Sequence, residues 1–214
     1  MKILAVSDMH GELGHVRSLV DRIAPDIVLC GGDWGDPGEV SREDYDWIID
    51  RATVLSVFGN HDDIELLSSL VNRDGSPVLL ANGHITTVGG ISIAGISGIW
   101  AKSHAKPWYI TDEEVAAFAE EIGSVDILMT HGCAVGLVDT FPSGKHGGNR
   151  CFLDAFKRIK PRVHLCGHLH VRHIRSFSDG TTAINIGESR NGDYALIEVE
   201  GGEWTLQAQN RLLS

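Results

Sequence analysis

Five short, almost wholly apolar runs constrain this chain more than anything else in it: KILAVS at 2–7, DIVLCG at 26–31, TVLSVFG at 53–59, DILMTH at 126–131 and RVHLCGH at 162–168. A strand wetted on one face alternates apolar and polar residues, whereas a strand apolar on both sides is covered on both, as in parallel sheets flanked by helices. Helical patterns lie between the runs. Leu13, Val16, Leu19, Val20 and Ile23 share one face until Pro25 ends the pattern, and YDWIIDRA at 45–52 and CFLDAFKRIK at 151–160 read the same way. The alternation predicts an α/β protein with a buried, largely parallel sheet.

Two stretches depart from that rhythm. ITTVGGISIAGI at 85–96 breaks at Gly-Gly, and residues 172–210 hold three or four alternating segments separated by Asp-Gly and Gly-Gly, so both predict antiparallel hairpins. Residues 97–112 show no period and carry two Trp, a Tyr and a His, as a loop at a rim or packed on the body would. With 214 residues, 43% of them hydrophobic, the chain can bury one sizeable core, and we expect a single domain over residues 1–214.

Charge narrows the partners. Twenty-nine Asp and Glu against 18 Lys and Arg leave a net charge of −11, which repels polyanions and argues against stable nucleic-acid binding or anionic membranes. A small anionic substrate would need local positive charge, and bound cations could supply it. The apolar start MKILAVSDMH is too short for a signal peptide, and no run reaches the roughly 18 residues of a membrane span. Cys30, Cys133, Cys151 and Cys166 form no Cys-x-x-Cys pair, so we expect reduced thiols and a cytoplasmic protein.

The chemistry stands at the strand ends. Asp8-Met9-His10, Gly32-Asp33, Gly59-Asn60-His61-Asp62, His131-Gly132 and Gly167-His168-Leu169-His170 each follow an apolar run. In open α/β sheets the carboxyl ends of the strands line one crevice, so residues distant in sequence converge there. Asp, Asn and His supply mixed oxygen and nitrogen ligands, suited to Mn²⁺, Fe or Zn²⁺. Asp8, His10, Asp33, Asn60, His131, His168 and His170 are too many for one tetrahedral ion, and two ions sharing a carboxylate would absorb them all. Such a pair, roughly 3.5–4 Å apart, holds a hydroxide nucleophile and clamps phosphoryl oxygens, which makes phosphoester hydrolysis the natural reaction.

Over residues 8 to 170 the order Asp-x-His, Gly-Asp, Gly-Asn-His-Asp, a lone His and Gly-His-x-His resembles the calcineurin-like metallophosphoesterase superfamily. The resemblance implies a four-layered α/β/β/α sandwich with mixed sheets and a dinuclear site at the carboxyl ends of its strands. It makes Asp8, His10 and His170 ligands of one metal, Asn60, His131 and His168 ligands of the other, and Asp33 the bridge. His61 matches the non-ligand His that contacts phosphate and serves as general acid, with Asp62 orienting it. Mn²⁺ is the expected metal, and Fe, Zn²⁺ or Ni²⁺ would also suit.

The phosphoprotein phosphatases of this superfamily carry arginines after Gly-Asp and before Gly-Asn-His, where this chain has Trp34-Gly35-Asp36 and Phe58. The sequence is more similar to the cyclic-nucleotide-phosphodiesterase-like, Icc-related branch; a small phosphoester is the expected substrate, a phosphodiester in the first instance, and a nucleotide is one form it could take. The alternatives are a small-molecule phosphomonoesterase and a metal-dependent scaffold without turnover. Trp34 could offer a stacking face to a substrate or pack locally, and Lys145, His146 and Arg150 could reach a second phosphate or form a solvated loop. Cys133 stands where the related pattern often has Pro, which puts a thiol near the metals. His15, His84, His164 and His173 read as structural or surface residues. The sequence does not set the oligomeric state.

Overall fold

Apolar runs become strands here. The computed structural model describes residues 1–210. In the first sheet β1 (Lys2–Val6), β2 (Ile27–Cys30) and β3 (Thr53–Ser56) are parallel neighbours in that order. In the second, β5 (Ile91–Ile96), β8 (Ile127–Thr130), β9 (Val163–Cys166) and β11 (Thr182–Asn185) are parallel neighbours, with antiparallel β4 (Ile85–Val88) and β10 (His173–Ser176) at the two edges. Two further strands, β12 (Asp193–Glu200) and β13 (Glu203–Asn210), complete the first sheet as a hairpin set antiparallel on β1.

Three apolar clusters define the layers. Ile3, Ala5, Leu29 and Leu55 of the first sheet meet Ile93, Met129, Leu165 and Ile184 of the second in a dry seam between the sheets. On the outer face of the first sheet, α1 (Gly14–Ile23) buries Val16, Leu19 and Val20, and α2 (Arg42–Ile49) buries Tyr45, Ile48 and Ile49. On the outer face of the second, α4 (Asp112–Ile122) and α5 (Arg150–Ile159) bury Val115, Ala119, Phe152 and Phe156. The result is the α/β/β/α order with mixed sheets.

Several elements differ from the sequence reading. The two C-terminal hairpins form, but on different sheets, and β11 pairs parallel with β9. Residues 97–112 are not wholly irregular, because β6 (Ile99–Trp100) and β7 (Tyr109–Ile110) make a short parallel pair. Helix α4 has no counterpart in the sequence reading. Its small, Ala- and Glu-rich face gives little apolar contrast, yet Thr111 and Glu114 close a capping box at its start, worth about 1 kcal/mol. Short α3 (Ile64–Ser68), capped by the Asp63 side chain, has none either.

Among the described residues, no helix is long and apolar enough to cross a membrane.

Candidate metal centre

Parallel strands deliver their carboxyl ends to one edge, and the turns just beyond them have an unusual backbone. Among the described residues, seven other than glycine have positive φ; Ala24 and Lys160 end helices α1 and α5, and the other five are Asp8, His10, Asp33, His168 and His170. Left-handed backbone costs about 1–3 kcal/mol per residue and persists where its surroundings impose it, commonly at functional sites. Here it breaks the strand geometry directly after β1, β2 and β9 and turns consecutive polar side chains together.

The clustering is tight. Nε2 of His170 lies 3.2 Å from Oδ1 of Asp8 and 3.2 Å from Nε2 of His10. Across the seam, Nε2 of His131 lies 3.4 Å from Oδ2 of Asp33. Three trios each place their donor atoms within 4.8 Å of one another: Asp8–His10–His170, His10–Asp33–His61 and Asp33–His131–His168. Asp33 belongs to two of them, which is the position a shared carboxylate needs.

A divalent cation fits what these residues lack. Oδ1 of Asn60 and Nε2 of His131 are buried without a hydrogen-bond partner, and such atoms cost about 1–3 kcal/mol each unless something else satisfies them. Glycine keeps the cradle open: a Cβ on Gly59 would overlap Asp33 Oδ1 and His131 Nε2, and one on Gly167 would lie 2.5 Å from Asp8 Oδ2. Asp8, His10 and His170 could hold one cation, Asn60, His131 and His168 a second, with Asp33 between. Imidazole, carboxylate and amide oxygen together suit Mn²⁺, Fe²⁺, Zn²⁺ or Ni²⁺.

Charges in the cluster are strongly coupled. Burial disfavours the His131 cation, but the Asp33 carboxylate beside it wins and carries its pKa up to about 9. Burial also works to raise Asp33, and His131 more than reverses it, holding the carboxyl well below the usual range. His168, desolvated and next to His131, is pushed down to about 4. Burial lowers His10 too, whereas contact with Asp8 raises His170.

Surrounding groups fix these side chains. Nδ1 of His131 donates to the carbonyl of Gly31 at 2.7 Å, leaving Nε2 for the cluster. Asp8 accepts from the Ser7 hydroxyl at 2.6 Å and from the His168 N–H at 3.0 Å. The expectation that Asp62 orients His61 does not hold. The buried Asp62 carboxylate accepts from the N–H groups of Asp33, Trp34 and Gly59 at 2.8, 2.8 and 2.7 Å, tying the turn after β2 to the turn after β3. Burial raises its pKa to about 7. The His61 ring instead meets Asp36, with Nδ1 3.1 Å from Oδ1. Spacing held a clue, since Asp36 stands three residues after Asp33 in the same turn.

Other sequence candidates lie elsewhere. Trp34 is fully buried on Tyr45 and donates from Nε1 to the Ser56 hydroxyl at 3.0 Å, so it offers a substrate no face. Arg150 pairs with Asp154 at 2.8 Å on the outside of α5, in a groove between α4 and α5. His146 is held by buried Asp139 at 2.8 Å, and Lys145 beside it is exposed. The Cys133 sulfur lies 2.9 Å from that of Cys166, within the core under α4 and α5. A basic group does approach from another segment: Arg190 Nε contacts Glu188 at 2.6 Å, and the same carboxylate oxygen lies 3.3 Å from Nδ1 of His170. Neither residue belongs to a motif that the sequence reading singles out.

The family model for calcineurin-like phosphoesterases matches residues 1–172, a span that holds every candidate ligand. UPF0046 protein K07C11.7 of Caenorhabditis elegans is 25% identical over 217 residues, 90% of this chain and 71% of its own. Among solved structures, TT1561 of Thermus thermophilus is 14% identical with a TM-score of 0.67, over 97% of this chain and 98% of that one. Vps29 of Entamoeba histolytica, complexed with zinc, is 15% identical with a TM-score of 0.52, over 98% and 99%. At these identities the structures share the fold.

Proposed function

The chain belongs to the calcineurin-like phosphoesterase family, and we propose that it is a dinuclear metal-dependent hydrolase of small phosphodiesters, acting in the cytoplasm with Mn²⁺. The observation that carries this reading is the convergence of Asp8, His10, Asp33, His131, His168 and His170 from successive strand ends, most of them in left-handed backbone, around buried donor atoms without partners. Two bound cations would supply Lewis-acid polarisation of the phosphoryl group and of the attacking water. Asp33 holds the two halves in register. His61, with Nδ1 3.1 Å from Oδ1 of Asp36, would as the imidazolium give its Nε2 proton to the departing oxygen and return to the neutral ring.

The preference for diesters rests on charge. A monoester dianion brings about two negative charges at neutral pH. Arg150 is paired with Asp154 outside α5, and Arg190 is compensated by Glu188. A singly charged diester suits a site so poor in uncompensated cationic side chains, on a chain of net charge −11. Buried Trp34 contributes nothing to that argument. All four cysteines are thiols, in keeping with a reducing compartment.

The test reconstitutes metal-free protein with Mn²⁺ and compares kcat/KM for a diester and a monoester of one aryl alcohol, each divided by its uncatalysed rate. A larger normalised enhancement for the diester is expected. A larger one for the monoester would make the protein a phosphatase, and two bound cations with no turnover of either substrate would make it a scaffold.

A further inference from the structure

Glu188 follows β11 at the head of a short 3-10 turn, Ser189–Asn191, and is pinned there by the residue that precedes the first ligand. The Ser189 N–H donates to the Ser7 carbonyl at 2.8 Å, and the Ser7 N–H donates to the Ser189 hydroxyl at 2.9 Å. Its own N–H donates to Asp193 at 3.2 Å, and its Oε2 accepts from the Asn191 amide. The side chain, 13% exposed, is thus fixed relative to Asp8 on two sides. Its remaining oxygen, Oε1, lies at ion-pair distance from Nδ1 of His170, 3.3 Å, and from Nε of Arg190, 2.6 Å, yet accepts a hydrogen bond from neither, which leaves a buried acceptor beside the His170 ring.

Nε2 of His170 is the ring nitrogen beside the other two donors, 3.2 Å from Oδ1 of Asp8 and from Nε2 of His10, and if it is given to a cation there the ring's hydrogen is left on Nδ1, 3.3 Å from Oε1 of Glu188. His131 has the same arrangement with a neutral partner, the Gly31 carbonyl. A carboxylate partner also raises the donor strength of the ring, as carboxylates behind metal-bound histidines do. Arg190 offsets the charge that Glu188 adds near Asp8 and Asp33.

We propose that Glu188 is the positioning residue of His170, and that it sets the cation affinity of the Asp8–His10–His170 half of the site independently of the Asn60–His131–His168 half. The proposal rests on the dinuclear reading above, and the test keeps the two apart. Metal-free wild type, Glu188→Ala and Glu188→Gln are titrated with Mn²⁺ by calorimetry, with no turnover measured. Wild type should bind two cations. In Glu188→Ala one of the two should weaken by about 10–100-fold and the other stay unchanged, while Glu188→Gln, which keeps an acceptor for the ring, should recover most of the loss. Two wild-type affinities in Glu188→Ala would overturn the role of Glu188 and leave the dinuclear reading standing. Fewer than two cations in wild type would overturn that reading and the proposal with it. Should Glu188→Ala not fold, the ring-nitrogen NMR spectrum of Zn²⁺-loaded wild type decides: the hydrogen on Nδ1 of His170 is expected, and coordination through Nδ1 would sink the proposal.

Discussion

The two halves of the metal centre are built from different materials. His131 is fully buried, with its outer nitrogen on a main-chain carbonyl, and Asp33 opposite is almost as deeply enclosed. His170 is 37% exposed, with a side-chain carboxylate from a separate turn behind it, and His10 is half-buried at its edge. The inner half is therefore set by the sheet seam, because Gly31 and His131 cannot move without β2 and β8. The outer half is set by contacts among side chains at the surface. A fold can hold one cation site rigid in this way and leave its neighbour open to substrate and adjustable by single substitutions.

Asp33 is where that contrast should fail, since its carboxylate belongs to trios in both halves. Asp33→Asn keeps the shape and removes the charge between two cations. Near-complete loss of turnover is expected, with weaker binding of at least one cation than the roughly 100-fold loss that outer partners produce. Calorimetry with Mn²⁺ and initial rates on one diester measure both, and full metal content with unchanged kcat would remove Asp33 from its bridging role.

His61 should sharpen the contrast, because it sits on the outer side, 44% exposed, 5.1 Å ring to ring from His10. As a proton donor it contributes roughly 10²–10⁴-fold. His61→Gln should keep both cations and lose most rate with alkoxide leaving groups, less with an activated aryl group that needs little protonation. Asp36→Asn should shift the same leaving-group dependence in the same direction and by less. Equal losses on both leaving groups would assign His61 to phosphate contact instead.

The same contrast explains what could be read from the sequence. Ligands such as Asp8, Asp33 and His131 stand directly at the ends of apolar runs, so strand prediction also places them in one crevice. The residues behind them carry no such signal. Asp36 and Glu188 lie in irregular turns, and whether a turn carboxylate faces a histidine or solvent depends on how two distant segments meet. Trp34 shows the converse: next to a ligand in sequence, its side chain points to the opposite side, into the core between Tyr45 and Ser56. Asp62 was legible as a site residue, but not its work, which is done on main-chain N–H groups. Helix α4 was lost for a simpler reason, its Ala-rich face being too weakly apolar to show a period.

His164 is the mildest probe, and it tests what stands behind the inner half. Its ring is fully buried between Phe156 and Thr130, with Nε2 2.9 Å from the Thr130 hydroxyl, which itself donates to the Gly132 carbonyl at 2.6 Å. Thr130 therefore shows His164 only lone pairs, Nε2 must carry the hydrogen, and Nδ1 is left buried without a partner. A second proton on Nδ1 would have no acceptor, and burial accordingly lowers the pKa from 6.5 to about 4. Between those two pH values the unfolded chain binds a proton that the folded chain refuses, so stability is full above the upper value and declines as pH falls toward the lower. At 1.36 kcal/mol per unit the decline is on the order of 3 kcal/mol. His164→Gln keeps a donor for Thr130 and removes the titration. Denaturant unfolding at pH 7.5 and pH 4.5 should show wild type losing more stability than the variant, by up to that amount, while contributions from the metal-site histidines, common to both proteins, cancel in the difference. Equal losses would mean that the core between α5 and the second sheet admits a charged ring, and the outer backing of β8, the strand that carries His131, would not be the tightly closed layer described here.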